Sequence, residues 1–259
     1  MKNAIEVDRL SMTFVTDEGP ICALDRLTFE AKESEFVSIV GPSGCGKSTL
    51  LKLIAGLMSP TEGNIKLNGV SVNGPNTNIG MVFQNAILMN WRTALENIMI
   101  QVEVRKLNKK IYDKISRDLM KLVGLSGFEN KYPYQLSGGM AQRVSLCRAL
   151  IHDPPLLLMD EPFAALDALT REKMNLELQR IWLERKKTVI FITHNIQEAI
   201  FLSDRVLVMS PRPGKVVKVV PIGFPRPREL VTMQLQEFNN IAGELRILMH
   251  SRTMEGEVR

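Results

Sequence analysis

In the stretch FVSIVGPSGCGKSTLLKLIAGL, residues 36–57, an apolar run from Phe36 to Val40 gives way to a glycine-rich turn. A helical pattern carrying Leu50, Leu53, Ile54 and Leu57 follows. Strand, turn and helix in that order are the context in which Gly41-Pro42-Ser43-Gly44-Cys45-Gly46-Lys47-Ser48-Thr49 forms a phosphate-binding loop. Its glycines let the backbone curl until N–H groups converge on phosphate oxygens, and the following helix directs its positive N-terminal end at the same anion. Lys47 is placed to neutralise charge on the β- and γ-phosphates, and Ser48 to ligate Mg2+.

Further along, Leu156-Leu-Leu-Met-Asp160-Glu161-Pro162 is an apolar run suited to the inside of a sheet, ending in two adjacent carboxylates. Asp160 at the strand end suits a water-mediated hold on Mg2+. Glu161 is a candidate base for polarising the attacking water, because a carboxylate beside a γ-phosphate can accept its proton. Alone, a strand ending in Asp-Glu is equally a surface turn; it gains weight by sharing a chain with the phosphate loop.

Around these motifs, short β-rich runs (Ile5 to Phe14, Phe36 to Val40, Ile65 to Asn68, Ile79 to Phe83) occupy the first third. The pattern turns helical from about Trp91 to Tyr134. After that the apolar runs Leu156 to Met159, Val189 to Thr193 and Val206 to Met209 alternate with helical stretches, which predicts a parallel sheet with crossover helices. One helix carries Met174, Leu178, Ile181 and Trp182 on a single apolar face, the mark of core. Pro211, Pro213, Pro221, Pro225 and Pro227 predict an irregular link before a last helix with the face Phe238, Ile241, Leu245 and Leu248.

Composition narrows the setting. With 45% hydrophobic residues the chain can bury a core. Cys22, Cys45 and Cys147 are odd in number and far apart, with no metal-binding spacing, which favours a reducing cytoplasmic environment. No apolar run approaches the ~20 residues of a membrane span. The net charge of +5 permits an anionic partner. Seven basic residues between Arg105 and Lys121, set against Asp113 and Asp118, read as a solvated helix face.

What separates the chain from other phosphate-loop proteins is Leu136-Ser137-Gly138-Gly139-Met140-Ala141-Gln142-Arg143. A Ser-Gly-Gly at a helix start offers a hydroxyl and free N–H groups to an anion. The string resembles the signature of ABC ATPases, and the chain is similar to that family over nearly its whole length. The segments Met209-Ser-Pro-Arg-Pro-Gly214-Lys and Phe224-Pro-Arg-Pro-Arg228 resemble the ATP-binding subunits of nitrate, sulfonate and taurine importers. Asn90, Ala141, Cys147 and Asn195 depart from the usual pattern, and none removes a catalytic group.

The resemblance implies an α/β fold: a RecA-like P-loop NTPase core with an N-terminal antiparallel β subdomain and an inserted α-helical subdomain. The ATPase domain would span 1–222, with its core in 1–88 and 153–222 and the helical subdomain at about 89–152; 223–259 would form a tail with an amphipathic helix. It further implies that Gln84 contacts Mg2+, that His194 contacts the γ-phosphate, and that Phe14 stacks on adenine. Ala165-Leu166-Asp167 would cross a dimer interface. Two chains head to tail would enclose ATP and Mg2+, with Ser137, Gly138 and Gly139 of one chain closing on the γ-phosphate held by the other. The partners implied are a second copy, transmembrane permease subunits and, indirectly, an extracellular or periplasmic solute-binding protein, at the cytoplasmic face of the cell membrane. Nucleic acid is not expected. A kinase or GTPase would lack the signature and His194; a non-transport ABC ATPase acting on nucleic acid or ribosomes is the alternative, although no long coiled-coil insertion is present.

Overall fold

The computed structural model describes residues 2–250, which form two sheets with helices between and around them. The first sheet is antiparallel, in the order β2 (Gly19–Lys32), β1 (Asn3–Thr16), β4 (Glu62–Leu67), β5 (Val70–Ser71). The second joins β3 (Phe36–Val40), β6 (Ile79–Val82), β7 (Leu156–Asp160), β8 (Thr188–Ile192), β9 (Arg205–Met209) and β10 (Val216–Pro221). Its order is β10-β9-β3-β8-β7-β6, parallel throughout except for the β9/β10 hairpin.

Every residue of β3, β7 and β8 is buried. Successive side chains of a strand point to opposite faces, so a strand covered on both sides reads as an unbroken apolar run. Val37, Ile39, Leu156, Leu158, Ile190 and Ile192 face a core shared with α1 (Lys47–Ile54) and the antiparallel sheet. Their neighbours Phe36, Val40, Leu157, Met159, Val189 and Phe191 face a second core. That core also holds Met174, Leu178, Ile181 and Trp182 of α5 (Ala168–Arg185), on the stripe expected. It extends through α2 (Ala94–Val104), α3 (Lys109–Leu122) and α4 (Gly138–Leu150) to α6 (Ile196–Leu202) and α7 (Gln236–His250). Each fully buried side chain of this kind contributes about 1.5–3 kcal/mol. The basic residues Lys106, Lys109, Lys110, Lys114, Arg117 and Lys121 are exposed.

Three strands escaped the sequence reading, the two-residue β5 (Val70–Ser71) among them. β2 was not expected because Asp25, Arg26 and Glu30 interrupt its apolar alternation. The expected irregular link over Pro211 to Pro227 contains β10, an edge strand where Pro221 lacks only a hydrogen-bond donor that an edge can do without. On α7, Phe238 and Leu245 are fully buried and Ile241 and Leu248 partly so, as the periodicity predicts. The end of the tail, from residue 251, lies outside the described residues.

The segment Phe224 to Arg228 clamps the tail. Arg228 is 1% exposed, and its Nη1 donates to the carbonyls of Ile200 at 2.7 Å, Phe201 at 2.9 Å and Ser203 at 2.8 Å. These are end carbonyls of α6, which have no partner within the helix. Gln179 on α5 brackets the Arg228 backbone with two further bonds. Burial, and then the nearby charge of Arg226, lower the Arg228 pKa to about 10, so it stays a cation at neutral pH. Arg226 lies 4.2 Å from the Trp182 ring centre and pairs with Asp204, whose other oxygen accepts from the Phe36 N–H.

Because Arg228→Ala strands several buried carbonyls at once, it should destabilise the fold by roughly 3 kcal/mol or more, read as a lower urea midpoint. A second expectation concerns His152, whose ring nitrogens are both buried. Burial, together with the charges of Arg105 and Lys187, lowers its pKa from 6.5 to about 4. The unfolded chain therefore binds a proton that the folded one refuses, and stability from this group is lost as pH falls through that window. The wild-type urea midpoint should fall more steeply from pH 6.5 to 4 than that of His152→Phe; equal slopes would refute this.

Candidate functional site

The parallel strands β3, β6, β7, β8 and β9 all end at one edge of the sheet, and the loops that leave them converge there. From β3 the chain enters the loop 41–46 and then α1, whose N-cap is Gly46. Gly46 has φ +99°, and a Cβ there would stand 2.7 Å from Leu24 Cδ2 and 3.0 Å from the Ala23 carbonyl oxygen. Only glycine fits both conditions. A cavity of about 610 Å³ opens above this loop, lined by Phe14, Ser43, Gly44, Gly46, Lys47, Ser48, Thr49, Gln84 and Glu161 among others. A hollow of about 850 Å³ lies at the opposite edge, among the first residues of β6, β7 and β8, and holds none of the motif residues. Ligands of open parallel sheets sit at the carboxyl ends of strands, which selects the smaller cavity.

Lys47 is only 7% exposed. Its Nζ donates to the carbonyls of Gly41 and Pro42, both at 2.8 Å, so the ammonium stays over the loop. The Cys45 thiol is fully buried beneath the loop, where its Sγ accepts from Lys47 Nζ at 3.7 Å. Asp160 closes β7 at 7% exposure. Burial raises its pKa, opposed chiefly by a hydrogen bond from the Ser48 hydroxyl, which joins two of the expected Mg2+ ligands. Hydroxyl, carboxylate and the amide of Gln84 form an all-oxygen donor set of the kind Mg2+ takes along with phosphate.

Glu161 turns sharply off the strand with φ 45°, and its N–H donates to the Ile192 carbonyl at 2.9 Å. The turn brings its Oε2 to 2.9 Å from His194 Nδ1. The His194 ring is 60% exposed, and the Glu161 side chain, 18% exposed, lines the cavity. Asn195 caps α6 by accepting from the N–H groups of Gln197 and Glu198, the service an aspartate would perform there.

Ser137, Gly138, Gly139 and Asp167 do not line this cavity. Ser137 and Asp167 are instead the N-caps of α4 and α5, accepting from Met140 and Thr170. Ser137, Gly138 and Asp167 are exposed. Within the chain the signature thus lies outside the cavity above the phosphate loop.

The sequence reading missed several contributors. Arg212, in the loop between β9 and β10, lines the cavity, with its Nε and Nη2 each 3.4 Å from the Gly44 carbonyl oxygen. Its only local signal was the Pro-Arg-Pro-Gly string. Ile21 and Ala23 line the cavity from the unrecognised β2. The segment after Gln84 is fastened to α4: Gln142 donates to the Phe83 carbonyl, and Arg148 to those of Ala86 and Ile87.

A family model described as ABC transporter matches residues 24–164. An uncharacterized ABC transporter ATP-binding protein of Methanocaldococcus jannaschii, MJ0412, is 48% identical over 92% of this chain and 89% of its own length. The aliphatic sulfonates import ATP-binding protein SsuB of Bacillus cereus is 42% identical over 90% of this chain and 92% of its own. For the taurine import ATP-binding protein TauB of Pelagibacter ubique the figures are 47%, 83% and 82%. Among solved structures, the dimeric ATP-binding cassette MJ0796 in a post-hydrolysis state bound to ADP and Pi superposes with a TM-score of 0.78. It is 35% identical, over 85% of this chain and all of that one.

Any side chain at residue 46 must displace Leu24 or the Ala23 backbone and unwind the start of α1. Gly46→Ala should therefore lose binding of a fluorescent ATP analogue by at least about tenfold while the helical content by circular dichroism stays near wild type.

Proposed function

The chain belongs to the ABC transporter family of ATP-binding proteins, and from that membership we propose that it hydrolyses ATP to drive solute import through a separate permease. Glu161 carries the reading of the site: a carboxylate lining a cavity of about 610 Å³ above the phosphate loop, oriented by His194 at 2.9 Å, with Lys47 beneath.

Phe14 would stack on the adenine, and the loop from Gly41 to Thr49 would cradle the phosphates through backbone N–H groups. Lys47 would trade its loop carbonyls for β- and γ-phosphate oxygens. Ser48, Asp160 and Gln84 would hold Mg2+, which supplies charge neutralisation on the phosphates. Glu161 accepts a proton from the attacking water as its oxygen bonds to the γ-phosphorus. The bond from that phosphorus to the β–γ bridging oxygen breaks, leaving ADP and inorganic phosphate. His194, with Nδ1 engaged by Glu161, presents its other ring nitrogen to the γ-phosphate.

The exposed Ser137, Gly138 and Asp167 suit a second copy set head to tail, each chain supplying Ser137, Gly138 and Gly139 to its partner's γ-phosphate. ATP then holds the two together, and hydrolysis releases them. We take residues 1–222 as the ATPase domain, with 89–152 as its helical subdomain, and 223–259 as the tail. Ile87 and Trp91, 63% and 74% exposed beside Gln84, would receive the permease. Among the described residues no helix is long and apolar enough to cross a membrane, so attachment to the cytoplasmic face would come through that permease. The names of the relatives favour sulfonate- or taurine-like solutes, delivered by a solute-binding protein, over work on nucleic acid or ribosomes.

Glu161→Gln keeps the shape and removes the basicity. Turnover should fall by about 10²–10⁴ while ATP binding survives, and the variant should elute as an ATP-dependent dimer on a sizing column. Turnover near wild type would overturn the role of Glu161.

A further inference from the structure

One ion pair, its carboxylate buried and its guanidinium partly exposed, lies outside the cavity yet touches both turns that bring Glu161 and His194 together. Arg171, in the first turns of α5, has its Nε 3.2 Å from Glu198 Oε1. Its Nη2 donates to the Leu166 carbonyl at 2.9 Å, and its Nε also faces the Phe163 carbonyl at 3.4 Å. Glu198, in the first turn of α6, has a side chain only 5% exposed. Its Oε2 accepts from the Thr193 hydroxyl at 2.6 Å, and Thr193 Oγ1 accepts from the Asn195 N–H at 3.0 Å. One guanidinium thus grips the turn that follows Glu161, and its carboxylate partner grips the turn that carries His194.

Fold stability alone does not account for these charges. Taking the Glu198 carboxylate out of water costs several kcal/mol, even with Arg171, 26% exposed, as its partner, and an apolar pair of similar volume often holds a fold as well or better. What an apolar pair cannot supply is directional bonds to carbonyls on one side and a hydroxyl on the other. The turn 162–167 is also where α4 leans: a Cβ on Gly139 would stand 2.7 Å from Leu166 Cδ2. Displacement of that turn therefore bears on Arg171 directly.

We infer that Arg171 and Glu198 are positioning residues for hydrolysis, locking the turn 162–167 to the turn 193–195 so that Glu161 and His194 keep their contact. The inference rests on the reading of Glu161 as the water-polarising base. Because Asp167 is exposed at the end of the same turn, a second chain seated against it would steady the base through this pair.

The test uses the full chain, with steady-state ATPase kinetics and melting temperature measured together. Glu198→Gln keeps an acceptor for Thr193 and loses the charge; Arg171→Met keeps the length of the side chain and loses the grip. Each should lower kcat roughly 10–100-fold with little change in KM for ATP. The double variant should be no slower than the slower single, because the two residues act as one unit. With neither charge left unpaired it should regain melting temperature while kcat stays low. Unchanged kcat in Glu198→Gln, or kcat that returns with the melting temperature in the double variant, would mean a structural ion pair only. Wild-type turnover in Glu161→Gln, which leaves the pair intact, would instead overturn the reading beneath it.

Discussion

Everything at the site depends on the parallel register of five strands. Val82 pairs with Met159, Asp160 with Ile192, Ile39 with Ile192 and Val40 with Val208, so the strands stop together. The loops bearing Gln84, Glu161, His194, Lys47 and Arg212 then have no choice but to meet. A slip of one residue in any strand would turn its apolar set to the wrong core. The two cores that fix the register therefore also fix the chemistry. The hydrogen bond from the Glu161 N–H to the Ile192 carbonyl extends this control one residue past the end of β7.

How much of this was legible in the sequence follows from where each signal resides. Strands β3, β7 and β8 are covered on both faces and announce themselves as unbroken apolar runs. The phosphate loop and the helix after it are a contiguous motif, and α5 shows its stripe. β2 and β10 are edge or half-exposed strands whose pairing is set by distant partners, and polar residues mask them. The antiparallel sheet was expected from the family resemblance, yet its longest missing strand could not be drawn from local pattern.

Single side chains were harder still. Arg226 and Arg228 belong to a proline-rich string read only as a family resemblance, yet one stacks on Trp182 and the other is enclosed by carbonyls. No local pattern marks a buried arginine, because what permits it is an arrangement of acceptors assembled from α5, α6 and the link. The same holds for Arg171 and Glu198, which no motif marks and which join the turn after Glu161 to the turn of His194. Ser137, Asp167 and Asn195 show the opposite case: residues read for function, or as departures from a pattern, that each also begin a helix.

The clamp at Arg228 bears on the order in which the protein is made. The last strand of the main sheet ends at Pro221, so on leaving the ribosome the sheet is complete before Arg228 has emerged. Until then the end of α6 has carbonyls without their buried partner, and α6 starts directly behind the turn of His194. A nascent chain halted in that interval would own every motif residue while the end of α6 still lacked its buried partner. The end of α6 is thus completed by a segment made after every strand of the main sheet.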